Sequence, residues 1–175
     1  MRILLKTLAM LLVLTAPLPA QRRRSVIVMP GQTTQVISDT MGAAYELPFS
    51  YGRVYHALVA AFAELKIETS EADSVGGQVG NLQFVTRSPL GGKAMSEYLS
   101  CSSGMIGAYA DIYRIYLSIM SYLTPNGADS TTLHTGLLGT AVNVAEGSRQ
   151  PMPCESKGRL ELRIYQMILK KLVGG

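Results

Sequence analysis

Between positions 51 and 65, Tyr51, Val54, Tyr55, Leu58, Phe62 and Leu65 return at steps of three and four residues. That spacing gathers them on one face of a helix. Ser50 precedes them, and its hydroxyl can accept an orphan N–H of the first turn. Ala57, Ala60, Ala61 and Ala63 add helix propensity and allow close packing. The pattern predicts a helix over Tyr51 to Leu65. A second is predicted over Lys157 to Val173, where Leu160, Leu162, Ile164, Tyr165, Met167, Ile168, Leu169, Leu172 and Val173 cover more than half the circumference. Arg163, Gln166 and Lys170 keep a narrow polar stripe there. A helix this apolar needs cover on more than one side, so it is expected to lie across a sheet and touch the first helix or a loop.

Alternation with a period of two dominates between the helices. A short strand is expected over Ile67 to Ala72, with Glu68 and Glu71 marking a solvated edge that discourages stray pairing. Residues 73–77 (DSVGG) read as a turn, and Val79 to Arg87 returns with Leu82 and Phe84 on one face. Residues 88–107 hold Pro89, Gly91, Gly92, Gly104 and Gly107 and read as loop, with one helical turn near Ala94 to Leu99. A connection of that length is usually functional or pinned. Tyr109 to Leu123 is the clearest strand: Tyr113, Ile115, Leu117 and Ile119 alternate with Arg114, Tyr116, Ser118, Met120 and Tyr122. Pro125, Asn126 and Gly127 form a turn. Ser130 to Val144 completes a long hairpin, with Gly136 and Gly139 suggesting a bulge or bend. Residues 147–153 are expected to be loop.

Upstream of the first helix, residues 25–29 (SVIVM) and 35–38 (QVIS) have strand composition, interrupted by Pro30 and Gly31. The first 20 residues differ in kind. Arg2 and Lys6 precede an apolar run from Leu8 to Leu14, and residues 17–20 (PLPA) lead into Gln21. This is the pattern of a secretory signal peptide cut after Ala20. The run is too short to span the roughly 30 Å of bilayer hydrocarbon, which takes about 20 helical residues. The expected organisation is a signal peptide over 1–20, an extended arm over 21–44 and one domain over 45–175, exported to the periplasm or the medium.

The charge balance changes little else. Of 16 Lys and Arg, five (Arg2, Lys6, Arg22, Arg23 and Arg24) lie in the first 24 residues, leaving 11 against 12 Asp and Glu. A near-neutral domain lacks the dense basic surface that phosphate backbones require, which argues against nucleic-acid binding. Arg22, Arg23 and Arg24 give at most weak attraction to an anionic lipid surface. Cys101 and Cys154 are the only cysteines, and an even count in an oxidising compartment predicts a disulfide. His56 and His134 are the only histidines, so the ligand set for a metal is poor and no cofactor is implied.

Catalytic patterns are weak. Residues 76–80 (GGQVG) lack the glycine spacing and following helix of a phosphate loop. Ser102 and Ser103 have no histidine aligned with them, and the nucleophile-elbow motif is absent. A hydrolase is therefore the weakest reading. Asp111 suits a loop cap or an ion pair with Arg114 or Arg159, and Glu161 suits the first turn of the last helix. The surface of most interest carries Arg114, Tyr116 and Tyr122, joined across the hairpin by His134. Tyrosine and arginine supply large contact area with polar tips, as binding hot spots do; the alternative is aromatic pairing on a solvated sheet. A third option is an apolar cavity between sheet and last helix.

Sequential antiparallel strands with gathered helices predict an α+β fold: a two-layer sandwich of four to five antiparallel strands with two helices on one face. In element order, over roughly residues 45–173, the chain resembles the helix-grip-like domains in the lipoprotein C subunit of the outer-membrane β-barrel assembly machinery. It also resembles exported bacterial proteins with a Cys-Ser/Gly loop and a Cys-x-Ser-x-Gly-x-Leu-Glu segment, here Cys154 to Glu161 (CESKGRLE). The resemblance implies an architecture and no functional residue. The expected role is a non-enzymatic cell-envelope binding or assembly module whose partner is an envelope protein. The alternative is a carrier of a small apolar ligand or lipid.

Overall fold

The computed structural model describes residues 25–28, 35–38, 43–86, 89–105, 107–144 and 151–174. The expected signal peptide over 1–20 and Arg22, Arg23 and Arg24 lie outside them. In chain order the elements are β1 (Ser25–Val28), β2 (Gln35–Ser38), β3 (Ala43–Leu47), α1 (Tyr51–Glu64), β4 (Glu71–Asp73), β5 (Gln78–Thr86), α2 (Met95–Tyr98) and β6 (Leu99–Ser100). There follow β7 (Ser103–Gly104), β8 (Gly107–Ala108), α3 (Tyr109–Ile112), β9 (Arg114–Pro125), β10 (Thr131–Val142), β11 (Met152–Ser156) and α4 (Arg159–Val173). The fold is α+β, as the alternation of patterns predicts.

The long hairpin is the centre of the sheet. β9 and β10 pair in unbroken antiparallel register from Arg114↔Val142 to Pro125↔Thr131. Outward from β9 the order continues to β5 and then β4; outward from β10 it continues to β11 and β6. β3 also pairs with β10, so that one edge is divided: Thr131 to Thr135 take β3, and Gly139 to Ala141 take β11. Among the described residues the sheet thus has seven strands rather than four to five. The two extra strands at the far edge, β11 and β6, are short, and Pro153 with Cys154 hides any period-two signal in the former. The expected loop at residues 147–153 is corrected accordingly at Met152 and Pro153, which are strand; 147–150 lie outside the described residues.

Why one side of the sheet is core follows from the alternation. Ile115, Leu117 and Ile119 of β9 and Leu133 of β10 are fully buried, and they meet Val54, Leu58 and Phe62 of α1 and Leu160, Ile164 and Ile168 of α4. Helices α1 and α4 also pack on each other. Arg53 at the start of α1 donates to the Leu172 carbonyl at 3.0 Å, satisfying a C-terminal acceptor of α4 that no helical N–H can reach. Lys171 pairs with Glu64 at 2.7 Å.

Local details differ from expectation in four places. Ser50 holds the N-cap position of α1, but its carbonyl, not its hydroxyl, makes the bond there, accepting from Val54 N–H. The predicted strand over Ile67 to Ala72 is mostly coil; only Glu71–Asp73 pairs, because α1 ends in a left-handed turn at Lys66 that carries Ile67 back beneath Phe62. The strand expected from Tyr109 begins at Arg114, since residues 109–112 wind into a single helical turn. Arg163, expected on a solvated stripe, is bonded to the Tyr98 hydroxyl and donates to the Gly91 carbonyl at 2.7 Å, while Tyr98 donates to the Leu90 carbonyl at 3.2 Å.

Arg163 and the disulfide are therefore two of the ties that hold the long connection. Cys101 and Cys154 are bonded, with an S–S distance of 2.03 Å, as the cysteine count predicts. The turn at residues 73–77 forms as expected: Asp73 Oδ1 accepts from Val75 and Gly76 N–H at 2.9 Å each, and Gly77 sits at φ +70°. Asp111 Oδ1 accepts from Ser96 N–H at 2.8 Å, so it caps the connection rather than meeting either arginine.

Candidate binding face

Successive strand residues point to opposite sides of a sheet, so burying Ile115, Leu117 and Ile119 under the helices sends Arg114, Tyr116, Ser118, Met120 and Tyr122 to the other side. Register then fixes their neighbours. His134 stands directly opposite Tyr122, with Gln78 on the other flank of Tyr122 and Ala44 beyond His134. Tyr116 stands between Val85 and Thr140, and Arg114 opposite Val142. Arg114, Tyr116, Tyr122 and His134 therefore share one face, the face away from α1 and α4. All four are half-buried rather than freely exposed.

Between the two tyrosines, which are six residues and roughly 20 Å apart along the strand, the face has a low floor. Gly80 and Gly136 flank Met120 in register, and Leu138 stands opposite Ser118. A Cβ on Gly80 would collide with the Met120 sulfur and the Ile119 carbonyl. Glycine at that strand position therefore lets Met120 lie down across β5. The sequence marks the site only by an interior strand glycine, a signal of close backbone approach. Ser118 is 2 % exposed and its hydroxyl has no hydrogen-bond partner among the described residues.

The remaining candidates are scattered. His56 is exposed on α1, and His134 lies on the sheet face just described; Ser102 and Ser103 lie beside the disulfide on the connection, Ser102 at φ +67°. Glu161 is more deeply placed than a dipole partner need be: it is 3 % exposed, accepts from Ser156 Oγ at 2.6 Å, and leaves its second oxygen unpartnered. Its negative charge, after burial itself, raises the pKa of Tyr45, whose ring stacks on Tyr165 at 4.3 Å. Among the described residues no three His, Cys, Asp or Glu side chains gather as a metal site. No helix among them is long and apolar enough to cross a membrane.

No family model and no curated protein matches the chain.

Proposed function

We infer that this chain is an exported, non-catalytic cell-envelope module that binds a protein partner through the sheet face carrying Arg114, Tyr116, Tyr122 and His134. One observation carries the reading: register places these four on a single face clear of both long helices, around a floor of Gly80, Met120, Gly136 and Leu138. Aromatic and arginine side chains around an apolar centre are the composition of interface hot spots. The fold is read as a two-layer, helix-grip-like sandwich that uses the sheet face opposite its helices for contact. The disulfide supports export to the periplasm or the medium, since such bonds persist in oxidising compartments.

Two alternatives are less well supported. A carrier of an apolar ligand needs room between sheet and helices, yet Leu58, Phe62, Leu117, Ile119, Leu133, Ile164 and Ile168 fill that layer with no exposure at all. A hydrolase needs a base beside Ser102 or Ser103, and neither histidine shares their connection.

The test is the double variant Tyr116→Ser/Tyr122→Ser. Its circular dichroism should match the native chain, and its capture of the partner cross-linked to the native chain in intact cells should fall at least tenfold. Gln166→Ser, on the exposed side of α4, should leave capture unchanged. Equal capture by the tyrosine variant would overturn the reading. Recovery of one lipid per chain by solvent extraction would favour the carrier.

A further inference from the structure

We propose that Asn126, in the turn between β9 and β10, is a site of spontaneous deamidation, and that its hydrogen bond to Thr132 sets how fast the side chain converts.

The chemistry needs an asparagine whose side-chain carbonyl carbon can be reached by the next residue's backbone nitrogen. That nitrogen, once deprotonated, attacks Cγ. A C–N bond forms, the side-chain amide leaves as ammonia, and a five-membered imide closes. Water then opens the imide at either carbonyl. One opening gives aspartate; the other gives isoaspartate, in which the main chain runs through the former side chain. The balance is water consumed and ammonia released, with no oxidation or reduction.

The chain has three asparagines, Asn81, Asn126 and Asn143, and the fold treats them differently. Asn81 is held at both ends of its amide: Nδ2 donates to the Glu68 carbonyl at 2.6 Å, and Oδ1 accepts from Gln83 N–H at 2.9 Å. Leu82 follows it. Asn143 donates to the Tyr113 hydroxyl at 3.3 Å, and Val144 follows, whose branched side chain crowds the attacking nitrogen. Asn126 is followed by Gly127, and both are exposed, so water reaches the imide. Gly127 sits at φ +96°, where a Cβ would meet nothing within 4 Å. Backbone conformation rather than crowding therefore asks for glycine here, and the same missing Cβ leaves its nitrogen open. Among the described residues no backbone carbonyl accepts from the Gly127 N–H.

Two bonds restrain the reaction. Asn126 N–H donates to the Ser130 carbonyl at 2.8 Å, and Asn126 Nδ2 donates to Thr132 Oγ1. The second holds the group that has to leave and the torsion that has to turn. Thr132 is carried by β10 directly opposite Thr124, so its hydroxyl is fixed by the strand pairing and does not follow Asn126 as it rotates.

The position gives conversion a structural effect. The hairpin register closes at Pro125↔Thr131, and isoaspartate lengthens the main chain between those two residues. Aspartate adds a negative charge in a turn that already holds exposed Asp129. Either product loses the donor that meets Thr132.

The proposal is decided apart from the partner reading, because it is read on purified protein. The full exported chain is held warm at mildly alkaline pH, and peptide mass spectrometry with an isoaspartate-specific methylation assay follows each asparagine. Acid should accumulate at Asn126, with isoaspartate among the products, at least tenfold faster than at Asn81 or Asn143. Thr132→Val should quicken conversion about fivefold, the scale of one neutral hydrogen bond, while Thr132→Ser, which keeps the hydroxyl, should hold the native rate. In the converted chain, amide exchange should quicken at Thr131 and Thr132 and stay slow near Arg114. Conversion at Asn126 no faster than at the other two overturns the proposal. An equal rate in the valine, serine and native chains overturns the role given to Thr132.

Discussion

Removing the disulfide by Cys101→Ala/Cys154→Ala should destabilise the domain without unravelling its sheet. The bond closes a span of 53 residues, and the loss of loop entropy from the unfolded chain corresponds to about 4 kcal/mol. The structure argues for somewhat less. The connection stays tied at Tyr98, whose carbonyl accepts from Lys157 N–H at 2.9 Å and whose hydroxyl meets Arg163. Leu99 remains buried against Gly139. By contrast, β6 meets β11 through only two residue pairs, so the stretch from Cys101 to Ala108 loses its main anchor. We expect a loss of roughly 2–4 kcal/mol, seen in urea unfolding, and a thermal midpoint lower by about 5–15 °C. Amide exchange should quicken over residues 101–108 and stay slow in β9 and β10. A loss below about 1 kcal/mol, the scale of an ordinary surface change, would refute the view that the bond is a principal tie.

Three smaller predictions rest on single sites. Lys66 occupies a left-handed position, φ 59°, in a helix stop where Ile67 N–H reaches Phe62 O and Lys66 N–H reaches Ala63 O; Lys66→Gly should relieve about 1 kcal/mol of strain and raise the melting temperature by a few degrees. Ser121 and Thr135 bond to each other at 2.8 Å beneath the helices, so Ser121→Ala alone should cost about 1–3 kcal/mol, and adding Thr135→Val should recover much of it, measured as a double-mutant cycle. Burial, then Glu161 and Tyr165, holds the Tyr45 pKa above its ordinary value of 10.0. The folded chain therefore keeps a proton that the unfolded chain releases, and stability falls as pH rises from 10 through the raised value. Tyr45→Phe should lessen that alkaline loss in pH-dependent unfolding.

Legibility in the sequence followed signal length. Helices α1 and α4 and the long hairpin each carry six or more periodic positions, and their bounds differ from expectation mainly at the ends. Tyr109 to Ile112 carries no signal that separates the two states, because tyrosine and isoleucine suit a strand as well as a helical turn; the turn is closed by Tyr113 N–H on the Tyr109 carbonyl and held by Asp111 on Ser96 N–H. The partners of Arg163 were invisible because Tyr98 lies 65 residues away, in a stretch without periodicity. The strands completing the sheet edge were hidden for a similar reason: β11 has a proline at its second position, and β6 is two residues long. The candidate face was readable as a set of alternating positions, since register across one hairpin follows from its turn. Its floor was not, because whether Gly80 relieves a turn or admits a neighbouring side chain depends on pairing with β9, which no local pattern states.

The most direct test is site-specific photo-cross-linking in intact cells, with a photoreactive phenylalanine placed at Tyr122 in one strain and at Gln166 in another. The account predicts one discrete protein adduct from position 122 and none of that mass from position 166. Adducts from 166 alone, or the same adduct from both positions, would contradict the assignment of the sheet face opposite the helices as the surface that meets a partner.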